Sequence, residues 1–121
     1  MNTVLARPVL LYDSDCRFCR FVARALVRLD RDECVAFLPL TDPAARALLP
    51  ELTVEQRMAS IHLVEPDAGH SSRGAALTKL IRHLGLPAPA RLLGRVYTPV
   101  ARARSVLGRL VPDGPAPRRY P

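Results

Sequence analysis

Val9-Leu10-Leu11-Tyr12-Asp13-Ser14-Asp15-Cys16-Arg17-Phe18-Cys19 carries the most informative change of pattern in the chain. Its first four residues are an apolar run that ends in a polar Asp-Ser-Asp cluster. That pattern predicts a buried strand running into a turn. From Cys16 onward the period changes. Phe18, Phe21, Val22, Ala25, Leu26 and Leu29 recur in steps of three and four, with Arg17, Arg20, Arg24 and Arg31 mainly opposite. The spacing predicts an amphipathic helix over residues 16–29. Two cysteines with two residues between them therefore stand at a strand-to-helix junction.

Position gives this pair its chemistry. Thiol–disulfide exchange runs through the thiolate. The first turn of a helix presents unpaired N–H groups and the positive end of the dipole, both of which stabilise negative sulfur. Arg17 and Arg20 add positive charge nearby. Cys19 lies about one turn beyond Cys16, within reach of a disulfide. On a helical wheel Cys19 stands beside Leu26 at the edge of the apolar face, and Cys16 is more open at the loop end. The expected nucleophile is Cys16 and the expected resolving thiol is Cys19. Attack by Cys16 forms a mixed disulfide, which Cys19 then displaces to leave Cys16–Cys19 oxidised. That disulfide is itself the redox group, and neither a separate cofactor nor a metal is expected. Asp13 has two readings. It accepts a proton from Cys19 during resolution, or it (or Asp15) makes the turn and caps the helix. Arg17, Phe18 and Gly74 are candidate substrate contacts. For Gly74 the competing reading is a turn or close packing before a helix.

Outward from this junction, Val35-Ala36-Phe37-Leu38 predicts a second strand stopped by Pro39. Asp42-Pro43 is a cap-then-proline start for a helix reaching residue 49. Thr53 and Gln56 match a capping box for a short helical turn ending near Met58. Residues 60–64 and 70–72 predict a hairpin across the turn at 66–69. Residues 75–84 form a helix stopped by Gly85. Pro87 and Pro89 mark a link, and residues 90–110 read as helical with Pro99 starting, kinking or dividing them. The order is strand, helix, strand, helix, strand, strand, helix, with a helical extension. It is the βαβαββα order of an α/β thioredoxin-like fold with a mixed four-stranded sheet. The expected division is a thioredoxin-like domain at 1–86, a helical extension packed on it at 87–111, and a proline-rich disordered tail at 112–121.

Asp13-x-x-Cys16-x-x-Cys19 after a short apolar strand resembles the DCC thiol-disulfide oxidoreductase family. Phe37-Leu38-Pro39-Leu40, Ser60-Ile61-His62-Leu63-Val64, Gly74-Ala75-Ala76-Leu77, and Tyr97 with Ala101, Arg102 and Arg104 resemble later segments of that family. The resemblance spans residues 9–110 and implies a redox function. Ser14 departs from the glycine common after the first Asp. Met58-Ala59 occupies the region where thioredoxin carries a cis-proline, so the substrate-binding edge differs from thioredoxin's. The implied partners are a disulfide-containing protein or a low-molecular-weight thiol, with a recycling reductase or glutathione-like thiol.

Composition bounds the alternatives. At 121 residues, 49% apolar and 24% charged, the chain has one domain's worth of core and is not disordered throughout. Three cysteines are too few, and odd in number, for a secreted disulfide scaffold. Neither a signal peptide nor a transmembrane segment is expected, and the expected location is cytoplasmic. Residues 1–60 balance eight Arg against eight Asp and Glu. Residues 61–121 carry nine Arg and one Lys against Glu65, Asp67 and Asp113, and so hold the whole net charge of +7. This asymmetry is either a solubilising surface or a contact for an acidic partner. Arg91, Arg95, Arg102, Arg104 and Arg109 would serve a basic module for nucleic acid or anionic membrane. The missing aromatic platforms and motifs argue against a specific nucleic-acid partner. A structural zinc module would need Cys34 and a histidine to complete the dithiol's ligand set. Cys34 reads more simply as a small apolar residue, and His62 as a satisfied polar residue in the third strand.

Overall fold

The computed structural model describes residues 5–67, 69–86 and 90–121. Four strands form one mixed sheet: β1 (Val9–Tyr12), β2 (Ala36–Pro39), β3 (His62–Glu65) and β4 (Gly69–Ser72), in the order β2-β1-β3-β4. β1 runs parallel to β2, with Leu10 opposite Phe37, and antiparallel to β3, with Leu10 opposite Leu63. The parallel pair is joined through α1 (Arg17–Leu29), and β3 and β4 form the hairpin. The protein is α/β with a thioredoxin-like fold.

The apolar runs of β1 and β2 are continuous, not alternating, because both faces of the sheet are covered. One face packs Val9, Leu11, Leu38 and Val64 against α2 (Pro43–Leu48) and the residues after it. The other packs Leu10, Tyr12, Phe37 and Leu63 beneath α1 and α4 (Arg73–His83), through Ala23, Ala76 and Leu80. Asp42 caps α2 by accepting from Ala44 N. Thr53 and Gln56 close the full reciprocal box on α3 (Val54–Met58). Boundaries shift by one or two residues from the sequence expectation. β2 takes in Pro39, which is tolerated at the end of an edge strand. α4 begins at Arg73.

The link at Pro87 and Pro89 lies outside the described residues. Beyond it, α5 (Ala90–Arg102) contains Pro99, and the helix divides at Ala103 before α6 (Arg104–Gly108). α5 packs on α4 and α6 on α1. Gly74 and Gly94 permit the first contact, since a Cβ on Gly74 would stand 3.2 Å from Gly94 Cα.

The last ten residues are not a frayed tail. They run back over α1 to the open edge of β2. There Arg119 exchanges both backbone hydrogen bonds with Phe37, each 2.9 Å. Tyr12 donates its hydroxyl proton to the Pro117 carbonyl, and Arg24 holds the carbonyls of Pro112 and Pro115. The Arg119 guanidinium lies over the Phe37 ring and pairs with Asp30. Asp30, 3% exposed at the end of α1, also accepts from Cys34 N and Val35 N. The many prolines that suggested disorder cannot donate to a ladder. The arginines between and after them supply the anchors.

Candidate active site

The C-terminal end of β1 delivers the chain into a tight turn. Asp13 Oδ1 accepts from Asp15 N at 2.9 Å, so the carboxylate shapes this turn and does not cap α1. Ser14 adopts no left-handed backbone, and its hydroxyl bonds that of Thr41 at 2.8 Å. The turn therefore forms without the glycine common at this place. The residue that caps α1 is Cys16 itself. Its Sγ accepts from Cys19 N at 3.3 Å, which places the sulfur over the free amides of the first turn.

The two cysteines face each other closely enough for their thiols to hydrogen-bond. Both are free and half-buried. Their environments differ. Burial, the most weighty cause, together with the hydrogen bond and charge of Cys16, pushes the Cys19 thiol up to about 12. Asp13 pushes in the same direction, and Arg104 pulls against it. Arg104 Nη1 stands 3.6 Å from Asp13 Oδ2, whose side chain is 13% exposed. The C-terminal helices thus bring a guanidinium to the dithiol, a contact that neither the family resemblance of the Arg104 segment nor its basic character specifies.

Two hollows flank the pair. Cys16 opens into a surface groove with Asp15, Arg17, Ser105 and Arg109. Cys19 forms part of the wall of an apolar cavity of about 460 Å³ between α1, α4 and α5. Asp13 and Arg104 border both. Phe18 lines the cavity. Arg17 lines the groove, but its guanidinium is bonded to the Val111 carbonyl at 2.6 and 3.0 Å and so anchors the chain beyond α6. Gly74 borders neither hollow, since its α-carbon is pressed against α5. Close packing before the helix, the competing reading for Gly74, is what this contact shows. Ala59 and Ser60 reach the cavity wall near the place of thioredoxin's proline.

Cys34 is exposed and precedes β2, at the opposite end of the sheet from the dithiol, so it does not join the pair in one ligand set. Among the described residues no cluster of three His, Cys, Asp or Glu side chains gathers around a common point. His62 is buried, and its ring is fully bonded. Nε2 donates to the Arg57 carbonyl at 2.9 Å, and Nδ1 accepts from Ser72 Oγ at 2.7 Å. No helix among the described residues is long and apolar enough to cross a membrane.

No curated protein and no solved structure matched the chain. A family model for DCC1-like thiol-disulfide oxidoreductase matched residues 10–110 of the 121. By that match, which takes in the turn, both cysteines and the helices that enclose them, the chain belongs to the DCC1-like thiol-disulfide oxidoreductase family.

Proposed function

We propose that Cys16 and Cys19 exchange a dithiol for a disulfide with a protein or small-molecule partner. The observation that carries this reading is the asymmetry of the pair: the Cys16 sulfur caps the helix and opens into the groove, and the half-buried Cys19 one turn behind it is held as a thiol beside the apolar cavity. The Cys16 thiolate attacks a partner disulfide, one partner sulfur leaves as a thiol, and a mixed disulfide forms. Cys19 then loses its proton and attacks Cys16 Sγ, which releases the second partner sulfur. Two electrons pass to the partner, and the protein's own S–S bond stores the oxidised state without a further cofactor. Burial keeps Cys19 protonated until this second step. Asp13, beside it in the same hollow, is the proton acceptor.

The partners that suit this chemistry are a disulfide-containing protein or a low-molecular-weight disulfide, with a reductase or small thiol to recycle the pair. A reducing compartment such as the cytoplasm suits the free thiols. The test uses two variants and a model disulfide. Cys16→Ser abolishes turnover, and Cys19→Ser accumulates a mixed disulfide visible by mass. If both variants turn over at the wild-type rate, the reading is wrong. Asp13→Asn slows the resolving step by about 10²-fold, the usual contribution of a positioned proton acceptor. Stopped-flow release of the second thiol measures it, and an unchanged rate removes Asp13 from that role.

A further inference from the structure

The hollow beside Cys19 is partly open to solvent and has a volume of about 460 Å³, in the range of small-molecule sites. Its walls are largely apolar, with Phe18, Val22 and Leu26 from α1, Leu77 and Leu80 from α4, and Tyr97 and Val100 from α5. The gap persists because α5 packs on α4 and α6 on α1, so the roof bridges the two helices without filling the space between them.

The charged side chains at this cavity are mostly cationic, beside the neutral polar groups of Ser60, Tyr97 and Thr98. Arg73, Arg102 and Arg104 border it against a single carboxylate, Asp13. Arg104 is turned toward Asp13. Among the described residues, Arg73 and Arg102 have no carboxylate within 4 Å. Arg73 also holds a left-handed backbone with φ 56°, which is costly for a residue with a side chain. Backbone strain of this kind gathers at functional sites. Two exposed guanidiniums without acidic partners at the rim of a largely apolar chamber complement one chemistry: an alkyl chain that ends in an anion.

We infer that this cavity is a binding site for a free aliphatic monocarboxylate of medium chain length, its alkyl chain packed among Leu26, Leu77 and Val100 and its carboxylate held by Arg73 and Arg102. Such a ligand would lie against Cys19, on the side of the pair away from the groove where Cys16 opens. The site does not depend on the redox reading and is tested without it.

The experiment titrates unlabelled full-length protein with butanoate, hexanoate and octanoate by calorimetry, and repeats the octanoate titration on methyl-labelled protein by NMR. The inference expects affinity to rise about fourfold per added methylene, the equivalent of burying each in an apolar space. Octanoate should shift the methyl signals of Leu26, Leu77 and Val100. Octylamine, with the charge reversed, should bind at least tenfold more weakly. Ala101→Phe places a ring into the chamber from α5 and should lower octanoate affinity at least tenfold. Arg73→Gln with Arg102→Gln should abolish the preference for octanoate over octylamine. The wild-type titrations stand even if a variant fails to fold. No binding, affinity independent of chain length, shifts confined to surface methyls, or equal binding of octylamine would each overturn the inference. Closure of the chamber by an apolar side chain of a partner protein would appear as one of these failures.

Discussion

At the scale of single residues, the dithiol and His62 show how burial sets chemistry. Cys19 is held as a thiol by its surroundings, with its pKa pushed up to about 12. Cys34 is exposed, and Cys16 opens into the surface groove. Brief treatment of the reduced protein with iodoacetamide near neutral pH should therefore label Cys16 and Cys34 and spare Cys19. Peptide mass mapping reads the order, and first labelling at Cys19 would contradict it. His62 responds in the opposite sense to a surface histidine. Burial lowers its pKa despite the hydrogen bond to Arg57, with the nearby His70 acting in the same direction. Below about pH 6.5 the unfolded chain takes up a proton at this ring that the folded chain resists. Its contribution to stability is whole above that pH and declines as the pH falls through it. Melting temperatures between pH 7.5 and 5.5 should fall in the wild type and fall less in His62→Gln. Equal slopes would show that His62 does not carry the effect.

At the scale of elements, the reading from sequence succeeded where a pattern had a local cause. The β1–α1 junction, the Asp42 cap and the Thr53–Gln56 box are short-range matters, and each sits where its residues demand. The dithiol was legible for the same reason. The cap of α1 was not, because the expected Asp yielded to the cysteine sulfur, an uncommon capping group. The path of residues 112–121 was hidden because its anchors are partners 76 to 114 residues away in the chain. Arg119→Ala tests that anchor. It leaves Asp30 buried without its counter-charge and should cost about 3 kcal/mol in urea unfolding. A loss near zero would mean that the two amides on Asp30 suffice. Gly74→Val tests the other long-range contact. The added carbons meet the backbone of Gly94, which has no flexible side chain to yield, and should cost about 1–3 kcal/mol.

At the scale of the whole molecule, the lopsided charge has an internal use. Asp13, Asp30, Glu33 and Asp42 come from the balanced first half, and they pair with Arg104, Arg119 and Arg118 from the basic second half. Asp113 returns the arrangement by pairing with Arg20. Part of what reads in sequence as a surface for an acidic partner is therefore a set of ties between the two ends of the chain. Coulombic contacts of exposed pairs weaken in salt, whereas the Asp30 pair is shielded from it. In 1 M NaCl, wild-type stability should change little, and the loss caused by Arg119→Ala should remain. If salt erases the difference between the two proteins, the pair is not insulated from solvent.

The returning C-terminal residues have a consequence for behaviour in concentrated solution. A bare outer strand is a template on which neighbouring molecules polymerise, and Arg119 occupies that place on β2. Truncation of the chain after Val111 would therefore bare the β2 edge and make the protein prone to self-association. Turbidity and light scattering would register the change even where the dithiol stays intact.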